Sequence, residues 1–209
     1  DGDIHIHDLD FYTLTTTCCQ IDIEKLFAGG FSTGQGQQLR EPNDIMSYSA
    51  LACIAIQANQ NDQHGGQSIP NLDYGMAIGV RKTYKRHLRR NLAKTLDLAD
   101  AVPDGMDPET AAEAMLREIE ETRGIRPIMA DSVKMTAALA EMLTPLCGDK
   151  ARREAEIIEK YTTREIERST YQAMEAMIHN LNTMHSRAGA QVPFSSLNYG
   201  TDTSPEGRL

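Results

Sequence analysis

The chain has 209 residues, 40% of them hydrophobic, with 30 acidic against 21 basic side chains and a formal net charge of −9. That is enough apolar material for one large domain or two small ones. The acidic balance argues against a protein that coats nucleic-acid polymers, but single nucleotides remain open, because a few basic groups and backbone amides suffice to bind them.

The chain begins at Asp1 inside a dense motif and ends on "SPEGRL" just after another, so a piece cut from a longer protein is expected. "IHIHDLDFY" alternates, and "TTTCCQIDI" continues with β-branched residues, so the start reads as strand and loop. "AGGFSTGQGQQ", 28–38, is a glycine-rich connection. Residues 42–61 read as a buried helix with Pro42 in its first turn, and "NQNDQHGGQSIPN" after it reads as loop. Met76, Val80, Tyr84, Leu88, Leu92 and Leu96 recur at steps of four and predict a third helix ending near 102. Asp107 and Pro108 are a helix cap and first position, and the helix should run to about 123. Further helices are predicted over about 131–146 and 150–186. The last of these carries an apolar stripe of Tyr171, Met174, Met177, Ile178, Leu181 and Met184. "VPFSSLNYG", 192–200, reads as strand again. The fold class expected is α/β, with a long helical insertion between strands.

Four cysteines stand at 18, 19, 53 and 147 with no CxxC pair, which argues against a zinc knuckle. There is no signal peptide and no apolar run of about 18 residues, so a cytoplasmic protein without membrane insertion is expected. On an extended strand Cys19 shares a side with Thr17, Ile21 and Ile23, and Cys18 with Thr16, Gln20 and Asp22. The apolar side packs on the protein body, so Cys18 should face the more polar space, where a substrate could sit, and Cys19 should be a packed thiol; both being inert is the alternative. Cys53 and Cys147 read as structural. His5 and His7 share one strand face, too few for a metal site, and either contact substrate or join a network with Asp8 and Asp10. His64, Gly65, Gly66, Gln67 and Ser68 have the ingredients of an anion-binding loop, although a helix-capping turn explains them equally. Ser195, Ser196 and Asn198 suit the end of a strand at an α/β crevice, or a plain tight turn. The basic run "RKTYKRHLRR", 81–90, reads first as a solvated face. An effector phosphate site and a subunit contact compete with that reading, and the acidic last helix is a possible complement.

"DGDIHIHDLDFYTLTTTCCQIDIEKLF", "GFSTGQGQQLREPNDIMSYSALACIAIQANQNDQHGGQSIPNLDYGMA" and "SRAGAQVPFSSLNYGTDTS", in this order, resemble the anaerobic (class III) ribonucleoside-triphosphate reductases. The resemblance implies a glycyl-radical enzyme built on a ten-stranded α/β barrel. Residues 1–40 would supply the first barrel strand and its glycine-rich loop, 41–188 a helical dimer and effector region, and 189–209 a second strand region. It implies replacement of the ribose 2′-hydroxyl by hydrogen. A thiyl radical removes the 3′-hydrogen, and a strand cysteine, matching Cys18, donates to the 2′-position as water leaves. Thr16, Thr17, His5, His7, His64, Gly65, Gly66, Gln67, Ser68, Ser195, Ser196 and Asn198 are the implied substrate contacts. No metal ligand is assigned to this stretch. The thiyl cysteine loop, the glycyl-radical segment and its zinc site are not in this sequence, so the piece alone should be inactive. The implied partners are ribonucleoside triphosphates, ATP and dNTP effectors, an S-adenosylmethionine/iron–sulfur activase and a second copy of the chain. A nucleotide-binding regulatory module without chemistry is the alternative. Other glycyl-radical classes share the barrel but not these strand motifs.

Overall fold

The computed structural model describes residues 18–32, 38–63, 65–185 and 192–209. It is mostly helical, with a small parallel sheet at one end. In chain order the elements are β1 (Cys19–Gln20), α1 (Ile23–Ala28), β2 (Phe31–Ser32), β3 (Gln38–Leu39), α2 (Ile45–Asp62) and β4 (Gln67–Ile69). Then come α3 (Leu72–Leu98), α4 (Pro108–Arg123), α5 (Ser132–Cys147), α6 (Ala151–Thr183) and β5 (Ser195–Leu197). The sheet order is β1-β4-β5, all parallel, and β2 and β3 form a separate antiparallel pair. This is compatible with part of an α/β fold.

The helices follow from their caps and apolar rows. Asp107 accepts from the Thr110 amide at 3.0 Å and Pro108 opens α4, as its sequence predicts, and Gly124 closes it in the left-handed region (φ 65°). On α3, Met76, Val80, Tyr84, Leu88, Leu92 and Leu96 are all buried. α6 packs against α2, α3 and α5. Two contacts of α3 need glycine. A Cβ on Gly75 would lie 2.3 Å from Ile23 Cδ1 of α1, and one on Gly79 would lie 2.9 Å from the Tyr48 ring of α2. The pair lets α3 approach both neighbours closely.

Several expectations are corrected. The strand reading through residue 23 fails at Asp22, whose carboxylate accepts from the Lys25 amide at 3.3 Å and starts α1. Ile23 is therefore a buried helix residue. The glycine-rich connection contains β2 and β3. Pro42 precedes α2, because Asp44 caps it through the Ser47 amide at 2.7 Å. The stretch read as loop after residue 58 instead finishes α2 and then forms β4. α3 stops at Leu98 rather than near 102, where Asp100 takes a positive φ of 51° and Ala101 N bonds back to Leu96 O at 2.9 Å.

The stripe expected on α6 is also misplaced. Tyr171 is 70% and Ile178 51% exposed, and Met184 is exposed too; of the six only Met177 and Leu181 are buried. The buried row is Ala151, Ala155, Ile158, Thr162, Ile166, Thr170, Ala173, Met177 and Leu181. Small residues and threonines fill it where α6 lies close to its neighbours: Thr162 accepts from Asn91 of α3 at 3.1 Å, and the last turns lie against α2. Ser49 Oγ donates to Ala173 O at 3.0 Å and Cys53 Sγ to Met177 O at 3.7 Å.

The basic run is a partly exposed face laced with ion pairs. Each of its six lysines and arginines meets a carboxylate of this chain: Arg81–Glu206, Lys82–Glu41, Lys85–Glu113, Arg86–Asp44, Arg89–Glu109 and Arg90–Glu165. The acidic helix is a complement within the chain, through Glu165 and through Glu159, which accepts from Tyr84 Oη at 2.8 Å. Among the described residues no helix is long and apolar enough to cross a membrane.

Candidate active-site face

Three short strands bring distant sequence segments together. Cys19 stands beside Gln67 and Gln20 beside Ser68. Gln67, Ser68 and Ile69 stand beside Ser195, Ser196 and Leu197. Cys19 N donates to Gly66 O (3.2 Å), Ile21 N to Ser68 O (2.7 Å) and Gln67 N to Phe194 O (2.9 Å). Paired residues of a parallel sheet share a face, and the face alternates along each strand.

The row Cys19, Gln67, Ser195 therefore faces the helices. Gln67 is 1% exposed and its side-chain oxygen accepts from Asn59 Nδ2 of α2, while its Nε2 has no partner. The row Gln20, Ser68, Ser196 lies on the opposite, open face. Cys18, one residue before β1, belongs to that open face by alternation and is exposed; Cys19 is half-buried. Cys19 also lines a cleft of about 570 Å³ with Asp22, Lys25, Phe31, Ala58 and Asn59, so it has space beside it on the helix side.

Of the other expected contacts, Gly65 is exposed with φ 86° and Gly66 is half-buried beneath Phe194. Asn198 is exposed, and its backbone joins β5 to the body: its amide donates to Ile69 O (2.9 Å) and its carbonyl accepts from Leu72 N (3.1 Å). His5, His7, Thr16, Thr17 and His64 lie outside the described residues. The expected set is thus divided. Ser68, Ser196 and Cys18 share the open face, whereas Gln67 and Ser195 lie behind it. Cys53 is buried in α2, and burial pushes its thiol up to about 11, against a hydrogen bond from Asn180, so it is inert near neutral pH.

The residues that hold this sheet in place were not singled out in the sequence. Asp73, in the first turn of α3, accepts from the amides of Gly200 (2.9 Å), Thr201 (2.8 Å) and Asp202 (2.7 Å) on one carboxylate oxygen, and from Tyr74 N (3.0 Å) on the other. Burial acts to raise its pKa, but the amide bonds outweigh it and hold the carboxyl below its ordinary value. Asn71 Nδ2 donates to Asp22 (3.1 Å) and Glu24 (2.9 Å), tying β4 to the start of α1. Glu206 is buried and accepts from Met129 N at 3.0 Å. A signal existed for Asp73 and Asn71: an acid and an amide at the start of a strong helix are cap-type residues.

A family model described as anaerobic ribonucleoside-triphosphate reductase matches residues 1–209. The chain belongs to that family. It is 23% identical over 210 aligned positions to the anaerobic ribonucleoside-triphosphate reductase of Salmonella typhimurium, covering 100% of this chain and 21% of that protein. The Escherichia coli enzyme of the same name gives 22% identity with the same coverages. The enzyme of phage T4 gives 29% over 103 residues, 48% of this chain and 16% of that protein. The chain spans about a fifth of the length of the reductases it matches end to end. Within this reductase family member, no three His, Cys, Asp or Glu side chains among the described residues group as a metal site.

Proposed function

We propose that the open face of β1-β4-β5 is the substrate side of an anaerobic ribonucleoside-triphosphate reductase, and that Cys18 is its hydrogen donor. The observation that carries this is the exposure of Cys18 on the same sheet face as Ser68 and Ser196, in a chain matched end to end by the reductase model. A donor must reach contact distance of the reacting carbon, which an exposed strand thiol on a row of small polar side chains can do. Ser68 and Ser196, with Asn198 at the strand end, hydrogen-bond the sugar and phosphates. Thr16, Thr17, His5, His7 and His64 belong to the same reading as neighbours of the substrate. Gln67 and Ser195 support the sheet from the helix side, Gly65 lets the substrate approach the backbone, and Gly66, beneath the Phe194 ring, contacts the substrate through that ring.

In this reading the sheet is part of the ten-stranded barrel; residues 1–40 and 189–209 supply its outer two strands here, β4 (Gln67–Ile69) lies between them, and the helices of 41–188 form the dimer and effector region. The glycyl radical, made by an S-adenosylmethionine/iron–sulfur activase and housed with a zinc site in a segment beyond this sequence, supplies the oxidising thiyl. What this chain supplies is one hydrogen atom from Cys18, the sugar contacts and the effector surface of a cytoplasmic homodimer responding to ATP and dNTPs. The 209 residues by themselves form no product.

The test uses the full-length reductase, activated without oxygen, with Cys18→Ser and Cys19→Ser compared for deoxyribonucleotide formation and glycyl-radical signal. Cys18→Ser should keep its radical and form no product, while Cys19→Ser turns over. Normal turnover by Cys18→Ser would sink the assignment.

A further inference from the structure

Resting on that reading, we infer that Phe194 positions the substrate sugar beside Cys18. Stepping the register Cys19, Gln67, Ser195 back by one residue puts Cys18, Gly66 and Phe194 in one row across the three strands. The bonds from Cys19 N to Gly66 O and from Gln67 N to Phe194 O support this step. Adjacent strands lie about 4.8 Å apart, so the row reads thiol, bare backbone, phenyl ring over roughly 10 Å.

The bare position is occupied from one side. A Cβ on Gly66 would lie 3.1 Å from Cδ1 and 3.6 Å from Cε1 of Phe194. The ring therefore leans over the middle strand, toward Cys18, instead of standing off the sheet edge. Gly66 is the notch that admits it. Yet Phe194 remains 81% exposed, so the notch fixes one edge of the ring and leaves the rest open. Its neighbours on this face, Gln20, Ser68 and Ser196, are polar.

A ribose matches that layout. Its hydroxyl edge suits the serines and the glutamine, and its C–H surface suits an aromatic wall. A wall on the side away from Cys18 limits lateral movement of the sugar, which the transfer of a hydrogen atom to one carbon requires.

The experiment uses the full-length activated reductase with Phe194→Ala, Phe194→Leu, Phe194→Tyr and Gly66→Ala, and Cys18→Ser as the control. Phe194→Ala should raise the KM for the ribonucleoside triphosphate about tenfold at unchanged radical yield and thermal midpoint. Phe194→Tyr should restore it, and Phe194→Leu should fall between. Gly66→Ala should raise KM in the same direction by pushing the ring aside. An unchanged KM in Phe194→Ala overturns the inference. So does a joint loss of thermal midpoint and radical yield in both Phe194→Ala and Phe194→Leu, which would make the ring a structural contact. If Cys18→Ser turns over normally, the reading of the whole face fails; if it is inactive while Phe194→Ala is normal, only the role of Phe194 fails.

Discussion

Along α3, Met76, Val80, Tyr84, Leu88, Leu92 and Leu96 are each buried, and α2 and α6 close over them. In the sheet, the strands are two or three residues long and only Gln67 and Ile69 are fully covered. The helical body is held by apolar area and close backbone contact. The sheet is held by polar ties at its ends: Asp73 to residues 200–202, Asn71 to Asp22 and Glu24, and Asn59 to Gln67. Loss of one apolar contact in the body is shared among many neighbours, whereas loss of one tie leaves several polar groups unpaired at once. A face that carries chemistry gains from this arrangement, because it is fixed in place without a covering layer.

That contrast can be broken most strongly at Asp73. Asp73→Ala leaves three consecutive amides without their acceptor, and the loss should be about 3 kcal/mol. Urea unfolding reads the total, and hydrogen exchange should show faster exchange at Gly200, Thr201 and Asp202 than in α6. Uniform exchange across both regions would mean that the two do not differ in how they are held. The body is tested at Gly75. Alanine there gains up to about 1 kcal/mol in helix propensity, but a Cβ within 2.3 Å of the buried Ile23 costs more, for a net loss of about 2 kcal/mol. Ile23 Cγ1 lies 2.4 Å from that Cβ as well, so only Ile23→Ala removes both clashing carbons; Gly75→Ala should cost less in an Ile23→Ala background than in the parent chain, and an equal cost would place the strain elsewhere.

The helices were legible because their signals are local. Asp107 and Pro108 mark α4, and the step of four from Met76 to Leu96 marks α3. β4 was not legible: Gln67, Ser68 and Ile69 are too few to show a period of two, and their partners lie about 48 residues before and 128 residues after them. α1 was hidden because Ile21 and Ile23 prolong an apparent alternation past the cap at Asp22. The α6 stripe was drawn through large apolar residues, whereas a close helix contact selects alanine and threonine, which carry little hydrophobic signal. The basic run could not be decoded from its own composition, since its six carboxylate partners come from four other stretches of the chain. For the candidate site, the open side of Cys18 followed from alternation, but the division of Gln67 and Ser195 from Ser68 and Ser196 needed the register.

A smaller effect separates the body from the sheet by pH. His87 on α3 is buried against α6, with Nε2 3.1 Å from Ser169 Oγ and Nδ1 3.2 Å from Arg90. A neutral ring with its proton on Nε2 accepts from the Arg90 guanidinium at Nδ1, the arrangement burial favours. Burial is the main cause that pushes its pKa below the ordinary 6.5; Glu165 opposes it, and Arg90, Arg86 and Lys94 add to it. The unfolded chain then binds the proton more readily than the folded one. Stability is fully present above about pH 6.5 and falls as the pH drops from there toward the depressed value. Urea midpoints measured near pH 7.5 and about pH 5.5 should differ, and His87→Gln should reduce that difference. An unaltered difference in the variant would assign the acid sensitivity to other groups.

The smallest effect is expected at Lys25, and it sharpens the idea that ties, not ion pairs, hold the sheet. Lys25 pairs with Asp22 at 3.2 Å, but its side chain is 88% exposed. Such a pair is screened by solvent and must immobilise a long side chain, so Lys25→Ala should leave the thermal midpoint unchanged. Asp22 does two further things: it caps α1 through the Lys25 amide, and it accepts from Asn71 Nδ2, which joins the end of β4 to the end of β1. Asp22→Ala should therefore lower the midpoint measurably, and Asp22→Asn, which keeps a cap acceptor without the charge, should lie closer to the parent chain. If Lys25→Ala and Asp22→Ala were equal, the ion pair would be the link that matters and the ties would not.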